Sequence, residues 1–387
     1  MGMAPRISRM HIAILTGGGD CPGLNSLVRA TALALWSRGI QVSGIERGFR
    51  GLMDDQLRPL QPADVEGLEG QGGSILGTHN RADPFCDLDH AGEDRSTQVL
   101  AMARSRGLQG VVAIGGDGTV AIAERLHARG LPMLVIPKTI DNDLPGTDIA
   151  FGFDSAVAIA TQALERLRTT AQAHGRVMVL ETMGRRAGWI ALAAGLAGAA
   201  DIILIPERPF QVEAVVQQCL AREDLLGTRV TTRGPTRGTT GGPLRGGTLI
   251  CVAEGAHAQG EEATVARHVT RSPDPVRLGG VAEALRVPLE AQLLGEVRTT
   301  QLGHLQRGGA ATSYDRTLAC LLGAAAAQEA AQGRFGNLVA WRDGRCVCVP
   351  LQDVAGHTRS VPLDHPWLQA ADSLGVSFGQ LEAGSAA

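Results

Sequence analysis

Aromatic side chains are scarce in this chain: one Tyr, four Trp and seven Phe among 387 residues. That argues against a base-stacking surface, which needs repeated aromatic platforms. An excess of one charge is also lacking. Lys and Arg number 36 against 39 Asp and Glu, a formal net charge of −3. No bulk field therefore draws the chain to nucleic acid or an anionic membrane. Cysteines number seven, odd and scattered, which is not the pattern of a disulfide framework. They fit a reducing, cytoplasmic setting. Cys346 and Cys348 alternate along an expected strand with no second pair nearby, so a zinc site is not expected. Long apolar runs are missing too. The longest, Trp189–Pro206, contains Asp201 and reads as a buried helix followed by a strand, not a membrane span. The first residues, Met1-Gly2-Met3-Ala4-Pro5-Arg6, show no apolar signal core and carry Arg6 where myristoylation wants Ser or Thr.

Glycine, by contrast, is abundant at 51, as many tight turns require. The chain opens with an expected strand His11–Thr16, the loop Gly17-Gly18-Gly19-Asp20, and a helix begun near Pro22. Leu24, Leu27, Val28, Thr31 and Leu35 recur at helical spacing, and Gly39 ends the run. Ile40–Ile45 is the next strand. The pattern returns in Gly110–Ile114, the turn Gly115–Thr119, a helix Val120–Arg129 and a strand Leu131–Ile136. Further units are Arg176–Glu181 with a helix after Gly188, Asp201–Ile205 with Glu213–Arg222, and Thr248–Ala253. Strands alternating with helices imply an α/β fold with a parallel sheet covered on both faces. Thr228–Gly247 breaks the pattern with six Gly, six Thr and four Arg and reads as a solvated surface insertion. The tail from Gly356 has weak periodicity, and no chemistry is assigned to it.

The most informative segment is Pro137-Lys138-Thr139-Ile140-Asp141-Asn142-Asp143. A strand ending there exposes a cation, a hydroxyl and two carboxylates at a sheet's carboxyl edge, where open α/β sheets bind ligands. One carboxylate can hold Mg²⁺ while the other takes a proton from an attacking hydroxyl, which suits phosphoryl transfer. The alternative is a polar turn. Gly17–Asp20 suits an anion at a helix start, although its spacing is neither a Walker loop nor a dinucleotide fingerprint. Asp117, in Gly115-Gly116-Asp117-Gly118-Thr119, can reach a metal that bridges phosphates or simply cap its helix. Arg185, in Met183-Gly184-Arg185-Arg186-Ala187-Gly188, is placed to stabilise a transferring phosphoryl group or to make a surface ion pair. His304 and Arg307, in Gly303–Gly309, suit a small ligand's phosphate.

With these motifs in this order from His11 to Arg316, the chain resembles the 6-phosphofructokinase family. The motifs are Thr16–Asn25, Gly115–Thr119, Pro137–Asp143, Met183-Gly184-Arg185 and Leu302–Gly309. The resemblance implies two Rossmann-like three-layer domains with mainly parallel sheets and the active site in the cleft between them. A phosphoryl-donor domain would take 10–150 with part of the C-terminal region, about 310–350, and a sugar-phosphate domain 151–309; 356–387 would be a tail. It implies phosphorylation of fructose 6-phosphate at its 1-hydroxyl. Asp141 then matches the base, with Thr139 and Arg185 beside it in catalysis and Arg185 stabilising the transition state. Asp117 and Asp143 match Mg²⁺-organising carboxylates. Gly19, Asn80, Arg81, Gly116, Gly118, Thr119 and Lys138 fall on the donor side, Arg81 standing in for an arginine that the familiar bacterial enzymes align with Asn80. Thr139, Met183, Gly184, Glu254, His304 and Arg307 match sugar-phosphate contacts. Arg176 and Arg298 match arginines that reach a neighbouring subunit's site, which implies a homodimer or homotetramer. Of the effector arginines Arg29 and Arg168 match but Leu33 does not, so bacterial-type effector control is not expected.

Family members use ATP or pyrophosphate. Gly118 leaves room for a nucleotide's α-phosphate, where pyrophosphate enzymes typically carry Asp; Lys138 is common among pyrophosphate enzymes. Exclusion by a bulky anion is harder to evade than a gain from one cation, and members combining this Gly and Lys are ATP users. ATP is therefore the expected donor, with pyrophosphate the alternative. Lipid and NAD kinases share the Gly115–Thr119 turn but not the later motifs. A catalytically silent sugar-phosphate-binding subunit would be expected to have lost Asp141, Asp117 and Arg185.

Overall fold

A computed structural model describes residues 10–225, 246–269, 275–293 and 295–381. Its strands, in chain order, are β1 (His11–Thr16), β2 (Gln41–Ile45), β3 (Leu57–Pro59), β4 (Gly110–Gly115), β5 (Met133–Pro137), β6 (Val177–Thr182), β7 (Ile202–Leu204), β8 (Thr248–Ala253), β9 (Val265–His268), β10 (Val276–Leu278), β11 (Val297–Gln301), β12 (Asn337–Arg342) and β13 (Arg345–Pro350). A seven-stranded sheet runs β13-β12-β5-β4-β1-β2-β3 and a four-stranded sheet β11-β6-β8-β7. The smaller sheet is parallel throughout; the larger is parallel except at its antiparallel edges β3 and β13. Strands β1 and β4 have no polar alternation: Ile12–Leu15 and Val111–Ile114 are fully buried. Runs of that kind need helices on both faces, and each buried branched side chain stabilises by roughly 1.5–3 kcal/mol.

Register decides where the motifs go. Thr16 pairs with Ile114 and Gly115 with Pro137, so the loops after β1, β4 and β5 leave the same edge. In the second sheet Thr182 pairs with Ala253 and Gln301 with Glu181. Met183, Glu254 and Gly303–Arg307 therefore share that sheet's carboxyl edge. The α/β expectation holds, and most strands shift by only a residue or two.

Several elements differ from expectation, three of them informative. The helix Asp117–Ala128 begins three residues before Val120, because an acidic residue is favourable in a first helical turn. The 22-residue helix Phe153–His174 was not anticipated; its apolar stripe is mostly alanine. Buried Asp315 caps its start, accepting from the Ser155 N–H at 2.9 Å and the Gly152 N–H at 3.2 Å. The tail is structured: Pro366–Ser373 is a helix, and the Ser377 carbonyl accepts from the Ile203 N–H at 2.9 Å. The expected insertion Thr228–Gly247 lies outside the described residues except for its last two. No helix is long and apolar enough to cross a membrane among the described residues.

Candidate active site

The two sheet edges face one another across a cleft. Arg307, from the smaller sheet, donates to the Asp20 carbonyl at 3.0 Å and lies over Gly19, where an added Cβ would stand 2.9 Å from its guanidinium. Arg186 Nη1 pairs with Asp117 Oδ2 at 3.4 Å, again between sheets. Gly18 turns with φ +72°, a conformation glycine takes without steric cost. Lys138, the sole lysine of the chain, is 3% exposed. Its Nζ donates to the Gly17 carbonyl at 2.9 Å and to that of Gly19. Burial pulls this amine down to about 8.

Between the glycine turns sits Thr119, itself buried; added Cβ atoms at Gly17 and Gly115 would collide with it. The structure thus gives Thr119 a packing place, while Gly116 is half-buried and Gly118 exposed. A Cβ at Gly118 would meet no atom within 4 Å. Asp117 is exposed, and its Oδ1 accepts from the Gly118 N–H at 2.7 Å.

After β5 the chain turns sharply. Asn142, 1% exposed, adopts φ +52°, tolerable for Asn because its side chain bonds locally. Its Oδ1 accepts from the Ala150 N–H at 2.9 Å and its Nδ2 donates to the Asp148 carbonyl at 3.3 Å. Flanking it are the two key acids. The Thr139 hydroxyl joins them, donating to Asp143 Oδ1 at 3.2 Å and accepting from the Asp141 N–H at 3.1 Å. Burial raises the Asp141 carboxyl, and Asp117 adds to this while Arg307 and Arg185 oppose it. Burial, then Asp141 and Asp117, push Asp143 up to about 7. These couplings bring Asp117, Asp141, Asp143, Arg185 and Arg307 into one electrostatic neighbourhood. Asp141 Oδ1 is shut from water with no hydrogen-bond partner among the described residues.

At the smaller sheet's edge, burial, then Asp141 and Glu181, push Glu254 up to about 7. Gly184 has φ +131°, and a Cβ there would stand 2.9 Å from the Ala187 carbonyl. Burial lowers Arg185, and neighbouring Arg186 and Arg277 lower it further. His304 is exposed and Arg307 half-buried, in a short turn Gly303–Arg307. Gln306, fully buried, accepts from the Met183 N–H at 2.7 Å.

Asn80 and Arg81 are exposed, just after Thr78, whose hydroxyl donates to the Gly18 carbonyl. The arginines expected to serve a neighbouring subunit lie elsewhere. Arg176 and Arg298 both pair with Glu296, at 2.6 and 3.2 Å. Arg176 precedes β6 and Met183 follows it, so about 23 Å separates them along the strand. Neither arginine reaches this chain's own cleft. Three residues given no role from sequence are present: Arg186, Arg277 and Gln306. Arg186 was visible beside Arg185; nothing local marked Arg277 or Gln306.

The family model described as Phosphofructokinase matches residues 11–330. The chain belongs to the phosphofructokinase family. The ATP-dependent 6-phosphofructokinase of Chloroflexus aurantiacus is 43% identical, over 96% of this chain and 98% of that one. The pyrophosphate–fructose 6-phosphate 1-phosphotransferase of Amycolatopsis methanolica is 41% identical, over 91% and 96%. Among solved structures, the phosphofructokinase of Saccharomyces cerevisiae aligns with a TM-score of 0.72 at 28% identity, over 89% of this chain and 45% of that one. This phosphofructokinase-family chain therefore spans less than half of the yeast chain and nearly all of the two curated relatives.

Proposed function

We propose that the chain is an ATP-dependent 6-phosphofructokinase. The observation that carries this is the pair Asp141 and Asp143, tied through the Thr139 hydroxyl and set beside Asp117 and two arginines. Asp141 takes the proton of the 1-hydroxyl of fructose 6-phosphate, the freed oxygen attacks the terminal phosphorus, and ADP leaves. Arg185 stabilises charge on the transferring group. Thr139 keeps Asp141 and Asp143 at a fixed separation. Met183, Gly184, Glu254, His304 and Arg307 hold the sugar phosphate, and Gly19, Asn80, Arg81, Gly116, Gly118, Thr119 and Lys138 form the donor side.

Mg²⁺ usually binds through one or two carboxylates plus substrate phosphates. Asp117 and Asp143, whose charges oppose each other, are the residues that would hold it. When bound it neutralises charge on the donor's phosphates.

The donor is ATP because Gly118 opens onto empty space where an α-phosphate would lie. Pyrophosphate is the second reading: Lys138 favours it, and the Amycolatopsis relative bears that donor in its name. Coupled assays with each donor at matched fructose 6-phosphate test this; turnover with pyrophosphate alone would overturn the choice of ATP. Residues 10–150 with 310–350 form the donor domain and 151–309 the sugar domain. Arg176 and Arg298, facing away from their own cleft, serve a neighbouring subunit of a homodimer or homotetramer in the cytoplasm.

A further inference from the structure

Residues 358–361 of the tail run between the two loops that carry the site. On one side, the Arg359 N–H donates to the Asp143 carbonyl at 2.7 Å. Its guanidinium continues along that loop, donating to the Asp148 carbonyl at 2.9 Å and to the Thr147 carbonyl. On the other side, the Arg359 carbonyl accepts from Trp189 Nε1 at 3.1 Å. The guanidinium also lies 4.6 Å from the Trp189 ring. Trp189 opens the helix directly after Arg185–Gly188. The flanking contacts repeat the pattern. Arg186 Nη1 lies within 3.5 Å of Thr358 Oγ1. The Val361 N–H donates at 2.8 Å to Glu207, which also accepts from the Gly188 N–H at 3.1 Å.

We propose that Arg359 is a positioning residue for phosphoryl transfer, locking the Asp141–Asp148 loop of one sheet to the Arg185–Trp189 loop of the other. This rests on the phosphotransferase reading of the cleft. The two loops come from different sheets, so no strand ladder fixes their separation. The base and the transition-state arginine must nevertheless hold their spacing closely, since a misplacement of about 1 Å costs on the order of a hundredfold in rate. One guanidinium fork suits the task because it spans two carbonyls while stacking on an indole, which a lysine cannot reproduce.

The test uses full-length Arg359→Met, which keeps the apolar stem, and Arg359→Lys, which keeps the charge. Values of kcat and KM with fructose 6-phosphate and ATP-Mg are measured per folded molecule, well below each variant's melting temperature. Arg359→Met is expected to lose about tenfold or more in kcat, with both KM values within about threefold of wild type. Arg359→Lys should fall between. Trp189→Phe, which removes the indole donor but keeps an aromatic ring, should lose less. The role is overturned if kcat per folded molecule stays within about twofold in Arg359→Met, or if the loss lies wholly in KM. It is also overturned if neither variant folds, since Arg359 would then serve the fold itself. Wild-type turnover in the same assay separates the two ideas. A silent wild type sinks the phosphotransferase reading, whereas an active wild type with unimpaired variants sinks only the role of Arg359.

Discussion

Arg307 donates to the Asp20 carbonyl at 3.0 Å across 287 residues of sequence. The bond joins the first glycine loop to the last motif, and so one sheet's edge to the other's. In the proposed reading, a sugar phosphate held by Arg307 would lie beside a donor held at Gly17–Asp20, the proximity that phosphoryl transfer needs.

Lys138 gives a direct electrostatic prediction. Burial lowers its amine to about 8 from an ordinary 10.5, so the fold disfavours the protonated form. Holding that charge at neutral pH costs on the order of 3 kcal/mol. Stability should therefore rise as pH climbs from about 8 towards 10.5, and Lys138→Met should lack that gain in urea unfolding. As the sole lysine, it gives one side-chain signal in protein carrying lysine labelled with heavy nitrogen. That signal should titrate near 8 and move upward when polyphosphate binds. Titration near 10.5 would refute the buried placement.

Gly118→Asp should impair turnover with ATP by at least about tenfold more than turnover with pyrophosphate. The new carboxylate has room in the protein itself, since nothing lies within 4 Å of its Cβ. Its effect should therefore fall on the bound nucleotide, not on the fold. Equal loss with both donors would count against the space at Gly118 as the determinant.

Gly184→Ala should disturb the Arg185 loop. The position needs φ +131°, and the added methyl would stand 2.9 Å from the Ala187 carbonyl. A strained backbone of this kind costs about 1–3 kcal/mol. Thermal unfolding and kcat should fall together, and a variant unchanged in both would show that the loop adapts.

Much of this was legible from sequence because hydrophobic runs end abruptly at chemistry-bearing residues. The strands β1, β4 and β5 stop where Gly17, Gly116 and Lys138 begin, so their loops could be assigned to one edge before any coordinates. The long helix Phe153–His174 escaped because alanine gives a weak apolar signal. Contacts between sheets were invisible for a different reason. Arg186 with Asp117 and Arg307 with Asp20 are set by how two sheets meet, and Arg359 with Asp143 by where the tail packs, which no local pattern encodes. Arg359 in particular lies in a stretch without periodicity, and its role depends wholly on tertiary packing.

The central claim concerns one carboxylate. In Asp141→Asn, single-turnover transfer from ATP-Mg should slow by roughly two to four orders of magnitude, the usual loss for a general base. Fructose 6-phosphate affinity, measured by calorimetry on the same sample, should stay within a few-fold of wild type. A transfer rate close to that of the wild type would contradict Asp141 as the proton acceptor and, with it, the account of the cleft.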